Sequence, residues 1–208
     1  MKKSKRARKS RTWVIKQHRD QFFKKAKVLG YRSRAAFKLL EINKKFNIIK
    51  RSSNLLDIGS TPGGWSQVAS KVIIDGKILA VDIMPMEKIK NVTFLKNNFL
   101  EKETQTKILK TFGEKIDIII SDMAENTTGN KSVDSIRTNN LCSTVINFSL
   151  KTLKKKGTLV CKLFMGEDFL EVKNLAKNNF KKVDFFKPES SRSESKETYL
   201  ICSLLKTL

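Results

Sequence analysis

Lys162 is the residue of this 208-residue sequence that most clearly requires a chemical explanation. It lies in the run LVCKLF, where apolar residues flank it at the end of a predicted central strand. A buried ammonium is unfavourable unless it is paired or neutralised. Asp122 directly follows the apolar run IDIIIS at the end of another predicted strand, so both side chains can reach the same crevice.

Two further charged residues could join this pair. Lys38 lies on a predicted basic helix, and Glu197 opens the last predicted strand. Taken singly, both are typical of solvated surface charge, and Asp122 is equally typical of a turn cap. The residue types alone therefore leave the role of the set open.

A glycine-rich turn indicates where a ligand would bind. The strand NLLDIG runs into STPGGWSQVAS, where Gly59, Gly63 and Gly64 permit a sharp turn and a close approach to a ligand. The spacing is not the G-x-G-x-x-G of dinucleotide folds, which disfavours a dehydrogenase. Asp82 ends the next strand, where a carboxylate can accept hydrogen bonds from a ribose diol. The turn alone is also typical of tight loop geometry, but together with Asp82 it predicts a nucleoside ligand.

The elements that must position these residues alternate from Ser53 onwards. Strands are predicted at 54–59, 77–82, 92–96, 116–121, 157–164, 181–186 and 198–205, and helices at 65–73, 103–112, 134–153 and 167–178. This alternation predicts an α/β fold with a mostly parallel, seven-stranded sheet and helices on both faces. Only the loop KPESSRSESKE joins the last two strands, so we expect an antiparallel end to the sheet.

Positive charge is concentrated ahead of the sheet. The sequence has 43 Lys and Arg against 20 Asp and Glu, a net charge of +23. The first 53 residues carry +17 of this excess, and the remaining 155 carry +6. Such an excess indicates a polyanionic partner, either nucleic acid or an anionic membrane. A lysine-rich genome would explain part of the +6 but not the concentration of +17.

The basic segment is predicted to combine an arm with two helices. Residues 1–11 have no apolar period and predict a disordered arm. Asp20 is predicted to cap a helix that ends near Leu29, and Ser33 a second helix that ends near Phe46. We therefore divide a single globular unit into a basic part, residues 1–52, which we expect to contact the polyanion, and the sheet-forming part, residues 53–208.

Several classes of protein are disfavoured by what the sequence lacks. No run approaches the roughly 20 apolar residues of a membrane span, and the basic N-terminus has no apolar signal segment. Cys142, Cys161 and Cys202 are odd in number and partly within apolar runs, which indicates reduced, buried thiols and a cytoplasmic location. His18 is the single histidine, so zinc chemistry and histidine-based triads are close to excluded.

The motifs together resemble one known family. DIGSTPGGWSQVA is similar to the S-adenosylmethionine loop of the FtsJ/RrmJ (RlmE) family of ribosomal RNA ribose 2′-O-methyltransferases. The blocks LGYRSRAAFKL, VDIMPM, SDMAEN, CKLFMGE and KPESSRSESKETYL match in the family's order, over residues 29 to 205. The resemblance implies a Rossmann-like methyltransferase fold, S-adenosyl-L-methionine as cofactor, and a uridine ribose in large-subunit (23S) ribosomal RNA as substrate, presented by the assembled subunit.

The resemblance also assigns the site residues. The family's cofactor positions fall on Gly59, Gly63, Trp65, Asp82 and Asp122, although Trp65 is equally typical of core packing. Independently of the resemblance, the basic helices suit phosphate contacts, so Arg32, Arg34 and Lys38 would contact the RNA backbone. Two residues depart from the family pattern. Asn98 replaces an acid that meets the adenine amino group, although an amide oxygen can still accept that bond. Glu125 replaces a common proline, which we expect to loosen the loop after Asp122.

Lys38, Asp122, Lys162 and Glu197 fall on the family's four catalytic positions. A ribose hydroxyl is a poor nucleophile until its proton is removed, and a free lysine, with a pKa of about 10.4, is mostly protonated at neutral pH. Burial and a nearby second ammonium favour the neutral amine. We therefore predict that Lys162 is the base, favoured in its neutral form by Lys38. Asp122 would hold Lys162, and Glu197 would orient Lys38 or the ribose.

The family's relatives that act on transfer RNA share the same four residues, so transfer RNA is the alternative substrate. A non-catalytic RNA-binding assembly factor is the alternative that is not an enzyme. The intact catalytic set disfavours it, and only Asn98 supports it. We expect a monomer that acts on the large ribosomal subunit without a metal or a membrane.

Overall fold

A computed structural model describes residues 20–125 and 128–206 of the chain. Residues 1–19, with the predicted basic arm and His18, lie outside the described residues. The helices are α1 (Gln21–Val28), α2 (Ala35–Phe46), α3 (Gly64–Val72), α4 (Lys102–Phe112), α5 (Lys131–Thr152) and α6 (Phe169–Asn179). The strands are β1 (Leu55–Ile58), β2 (Ile78–Asp82), β3 (Thr93–Lys96), β4 (Ile116–Ser121), β5 (Leu153–Phe164), β6 (Phe180–Phe186) and β7 (Glu197–Leu205).

The seven strands form one sheet in the order β3-β2-β1-β4-β5-β7-β6. Neighbours from β3 to β5 pair in parallel, whereas β7 pairs antiparallel to both β5 and β6. The predicted α/β fold with an antiparallel C-terminal strand is therefore confirmed. β7 is inserted between β5 and β6, which places Lys162 on an internal strand with a partner on each side.

Two apolar cores cover opposite faces of the sheet because successive strand residues point to opposite sides. One core packs α4, α5 and α6 against residues such as Leu56, Ile119 and Leu159. The other packs α2 and α3 against residues such as Leu55 and Ile120. The three cysteines are free and buried in the first core, as predicted.

Of the two basic helices, α2 packs into the second core, and α1 contacts α2 through Phe22 and Phe37. Asp20 caps α1 as predicted, accepting hydrogen bonds from the amides of Phe22 and Phe23 at 3.0 and 3.2 Å. The predicted cap of α2 is wrong: Arg34 occupies the cap position, and the Ser33 hydroxyl is buried without a partner among the described residues. The buried side chain of Leu39 fixes α2 on the core. Among the described residues, no helix is long and apolar enough to cross a membrane.

Candidate active site

Lys162 and Asp122 form a close ion pair at the carboxyl edge of the sheet. The parallel register of β4 and β5 pairs Ser121 with Cys161. Asp122, which directly follows β4, therefore lies beside Lys162, the next residue of β5. Lys162 Nζ lies 2.6 Å from Asp122 Oδ1 and donates a further hydrogen bond of 2.9 Å to the Asp122 carbonyl. Only 10% of the Lys162 side chain is exposed. The buried ammonium of this strand is therefore paired.

Lys38 and Glu197 form a second buried pair beside the first. Lys38 Nζ, on α2, lies 2.9 Å from Glu197 Oε1, at the start of β7, and each side chain is 11% exposed. The sheet contributes three residues of the predicted set and the basic helix contributes the fourth. All four predicted catalytic residues thus lie in one cluster, and their catalytic roles remain predictions.

Tyr199 joins the two pairs and was not predicted from the sequence. Its hydroxyl donates a 2.6 Å hydrogen bond to Asp122 Oδ1, and Lys38 Nζ lies 5.7 Å from the centre of its ring. The antiparallel register places Tyr199 directly opposite Lys162. The available signal was its spacing of two residues from Glu197, which puts both side chains on one face of β7.

The two lysines set the charge state of both carboxylates. Burial alone would raise the pKa of Asp122, but the charges of Lys162 and Lys38 and the hydrogen bonds from Lys162 and Tyr199 lower it below its ordinary value. Burial would likewise raise the pKa of Glu197, and Lys38 and Lys162 lower it. Both carboxylates are therefore ionised at neutral pH, and the cluster holds two ion pairs.

A crevice of about 380 Å³ opens on the other side of Asp122. Polar groups line it at the ends of β1, β2, β3 and β4, among them Asp82, Asn98 and Asp122. Apolar side chains also line it, from Ile83, Met84, Phe99, Leu100, Met123 and Leu141. Asp82 accepts hydrogen bonds from the amides of Thr61 and Met84, at 2.9 and 2.8 Å, and Asn98 Oδ1 accepts one from Leu100 at 3.1 Å. Both side chains therefore have fixed orientations at the crevice.

The glycine turn needs glycine for reasons internal to the fold. Gly59 has a φ of +75°, and a Cβ there would lie 2.5 Å from Met123 Cγ, on the wall of the crevice. Gly63 has a φ of +107° and precedes α3, where a Cβ would meet Ile89 and Met86 within 3 Å. The turn is thus packed between the loops that follow β2 and β4.

Trp65 is a core residue beneath this turn. It is 3% exposed, its Nε1 donates a 2.7 Å hydrogen bond to the Ala35 carbonyl, and its ring packs 5.6 Å from that of Tyr199. These contacts link α3 to α2 and to the cluster of Lys38, Asp122, Lys162 and Glu197. Its predicted contact with a cofactor stays a prediction.

Glu125 is exposed in the loop after Asp122.

The guanidinium groups of both predicted RNA-contacting arginines have partners within the protein. Arg32 donates to the carbonyls of Pro62, Glu87 and Lys88 at 3.2, 2.7 and 2.9 Å. Arg34 pairs with the Asp20 carboxylate and donates to the Ser190 carbonyl. Arg32 therefore ties the glycine turn to the loop after β2, and Arg34 ties α1 to the β6–β7 loop. Their contacts with RNA remain predictions.

Asp57, within β1, is a buried carboxyl that the sequence analysis did not single out. It is 1% exposed, and its Oδ2 accepts a 2.6 Å hydrogen bond from Ser66. Burial, together with the charges of Asp122 and Asp82, raises the pKa of Asp57 to about 7, although hydrogen bonds from Ser66 lower it. A carboxyl whose pKa is higher in the folded protein than its ordinary value of about 3.9 destabilises the fold once it is ionised.

We expect Asp57→Asn to stabilise the protein at about pH 8, on the order of a few kcal/mol, because the amide keeps an acceptor for Ser66 without the buried charge. The free-energy gain should shrink as the pH falls from about 7 to about 4, because the Asp57 carboxyl of the wild type then becomes protonated and carries no charge either. Urea unfolding at several pH values measures the difference. Asp75→Asn, at an exposed ion pair with Arg51, is the control. An equal gain in unfolding free energy at about pH 4 and about pH 8 would contradict the explanation by a buried charge.

Comparisons with known proteins identify relatives along nearly the whole chain. The family model described as FtsJ-like methyltransferase matches residues 31–204. A Pelagibacter ubique protein named ribosomal RNA large subunit methyltransferase E is 44% identical over 202 residues, covering 97% of this chain and all of that protein. A Rickettsia akari protein of the same name is 45% identical over 203 residues, covering 95% and 89%.

Solved structures agree with the fold. The crystal structure of a Plasmodium falciparum protein described as a ribosomal RNA methyltransferase has a TM-score of 0.75 and 31% identity, covering 84% of this chain and 98% of that one. Human methyltransferase-like protein 13, solved in complex with SAH, has a TM-score of 0.57 and 16% identity, covering 82% and 79%. The second likeness concerns the fold alone.

Proposed function

Because the chain belongs to the FtsJ-like methyltransferase family, we propose that it transfers a methyl group from S-adenosyl-L-methionine to the ribose 2′-hydroxyl of a uridine in large-subunit ribosomal RNA. The observation that carries the proposal is the position of Asp122. Its side chain lines the crevice and also pairs with Lys162, so a donor in the crevice and a base on the sheet share one residue.

The crevice has the features that a nucleoside sulfonium requires. Apolar side chains, including Phe99 and Leu141, offer a surface for an adenine ring, and Asp82 can still accept hydrogen bonds from ribose hydroxyls. Asn98 stands where the adenine amino group would be recognised. Asp122 provides a negative charge on the wall nearest to the base. Gly59, Asp82, Asn98 and Asp122 would therefore hold the cofactor, whose contribution when bound is an electrophilic methyl group.

The four charged residues have separate tasks in this proposal. Lys162 removes the proton of the 2′-hydroxyl, and Asp122 fixes the Lys162 amine beside the crevice. The ammonium of Lys38, paired with Glu197 at 2.9 Å, is the second positive charge of the same cluster. Glu197 and Tyr199 orient Lys38 and Asp122. Alignment of the two reactants within this buried cluster supplies several kcal/mol of the rate acceleration.

The substrate class rests on the relatives. Proteins that are 44% and 45% identical over nearly their full lengths carry the name ribosomal RNA large subunit methyltransferase E, which favours ribosomal RNA over transfer RNA. The net charge of +23 suits an RNA partner, since lysine and arginine neutralise backbone phosphates without reading sequence. We propose that the assembled large subunit, in the cytoplasm, presents the uridine to a monomeric enzyme.

Methyl transfer to ribosomal subunits tests the function directly. The protein is incubated with tritiated methyl donor and, in parallel, with large ribosomal subunits lacking the modification, purified ribosomal RNA or total transfer RNA. We expect label on the subunits, located on a ribose 2′-oxygen by resistance of the neighbouring phosphodiester to alkali. Label on transfer RNA alone would support the alternative substrate. Label on a base, or on no RNA, would overturn the proposal.

A further inference from the structure

A second cavity adjoins the catalytic cluster on the side away from the crevice. It has a volume of about 270 Å³, and Lys38 and Glu197 line it together with Arg34, Arg192 and Ser195. The last two residues belong to the β6–β7 loop. The β6–β7 loop therefore forms the wall of the cavity opposite α2.

Arg192 is the guanidinium of this region for which the described residues provide no acceptor. The donors of Arg32 and Arg34 are directed at carbonyl and carboxylate oxygens of the protein. Arg192 is half-buried, and none of the residues in the described ranges accepts a hydrogen bond from its side chain. It lies close enough to Arg34 that its charge, after burial, lowers the pKa of Arg34. Arg192 thus adds a positive charge to a cavity in which Arg34 and Lys38 already have carboxylate partners.

The loop that carries Arg192 is held in place. The Glu41 carboxylate, on α2, accepts hydrogen bonds from the amides of Glu189 and Ser190 at 2.6 and 3.0 Å. Lys187 Nζ donates a 2.7 Å hydrogen bond to the Ser195 carbonyl, which closes the loop from its other end. Arg192 thus projects from a fixed backbone, which reduces the entropy lost on binding a ligand.

An unpartnered hydroxyl lies next to Arg192. Ser191 is 7% exposed, and its Oγ has no hydrogen-bond partner among the described residues. It lines a separate, open depression, which shares the side chains of Arg34 and Arg192 with the cavity. A buried hydroxyl without a partner is unfavourable unless a ligand or water supplies one. A phosphate oxygen can accept from both the hydroxyl and the guanidinium.

We infer that Arg192, with the Ser191 hydroxyl, binds the RNA phosphate next to the acceptor ribose. The inference rests on the proposed function and deepens it, because the ribose carbon that bears the 2′-hydroxyl is bonded to the carbon that bears the 3′-phosphate. A ribose presented to Lys162 therefore brings a phosphate to the rim of this cavity. Glu194 also lines the cavity, and its carboxylate repels an anion. Binding of a phosphate there therefore depends on the positive charge of Arg192.

Arg192→Ala should weaken RNA binding without affecting the donor site. The probe is fluorescein-labelled large-subunit ribosomal RNA, titrated with protein and saturating S-adenosylhomocysteine at several salt concentrations. We expect a Kd about tenfold higher at low salt and a plot of log Kd against log salt that is shallower by roughly 0.7 to 0.9, the loss of one phosphate contact. Arg192→Lys should recover part of the affinity, since it keeps the charge and loses the planar fork.

Lys110→Ala is the matched control, since it removes one exposed positive charge from α4 on the opposite face of the sheet. In methyl transfer, Arg192→Ala should raise KM for the RNA and change kcat by no more than a few fold. An unchanged Kd, a change in kcat alone, or an equal effect of Lys110→Ala would overturn the inference. Because RNA binding is measured without turnover, a wild-type protein that binds RNA but transfers no methyl group would contradict the proposed function alone.

Discussion

Lys162→Ala should lower kcat for methyl transfer by about 10²- to 10⁴-fold, the range that a general base contributes. The affinity for S-adenosylhomocysteine should stay within a few fold of wild type, because the ammonium points at Asp122 on the sheet side of the crevice. Single-turnover methyl transfer measures the chemical step, and calorimetric titration measures the affinity. Residual activity within a few fold of wild type would exclude Lys162 as the base.

Lys162→Arg separates the base from the ion pair. Arginine keeps a positive charge beside Asp122 but stays protonated at neutral pH, so it cannot accept the hydroxyl proton. We expect Lys162→Arg to be as slow as Lys162→Ala and to unfold at a temperature closer to that of wild type, since the carboxylate keeps a partner. Activity near the wild-type level in Lys162→Arg would mean that Lys162 acts only by holding Asp122.

Lys38→Met and Glu197→Gln should each lower kcat/KM by about 10²-fold, and the double variant should be little worse than either single variant. Both side chains are nearly buried and 2.9 Å apart, so loss of one partner leaves an unpaired charge beside the reacting groups. The wild type, the two single variants and the double variant form a double-mutant cycle for methyl transfer. We expect a coupling free energy of about 2–3 kcal/mol.

The unfolding free energies of the same four proteins distinguish a loss of catalysis from a loss of stability. Each single variant should lose about 3 kcal/mol of unfolding free energy, and the double variant should recover most of that loss because neither charge remains. Recovered stability without recovered activity is the signature of a catalytic pair. Additive losses in both measurements would show that Lys38 and Glu197 act independently.

The order of elements and the position of the site could be predicted from the sequence because each depends on local patterns. Apolar runs that alternate with helical stretches fix a parallel sheet, and the carboxyl ends of parallel strands meet at one edge. Lys162 and Asp122 each lie at such an end, so their proximity was predictable. The position of β7 between β5 and β6 depends on the handedness and packing of the whole sheet.

Residues whose roles depend on tertiary partners could not be assigned in this way. The sequence did not indicate that the Arg32 donors are directed to three carbonyls brought in by the loops after β1 and β2, and the contact of Arg32 with RNA stays a prediction. Ser33 has the residue type of a helix cap, yet its hydroxyl is buried against the glycine turn. Tyr199 and Asp57 read as ordinary strand residues until neighbouring strands bring the acidic groups beside them.

The insertion of β7 has a consequence for when activity begins during synthesis. β7 follows every other described strand along the chain, yet it supplies Glu197 and Tyr199 and fills the gap between β5 and β6. Until residues 197–205 have left the ribosome that makes them, β5 has an open edge and Lys38 has no carboxylate partner. In a nascent chain, the residues that line the crevice at the ends of β1 to β4 therefore emerge before the cluster around Lys162 can be completed.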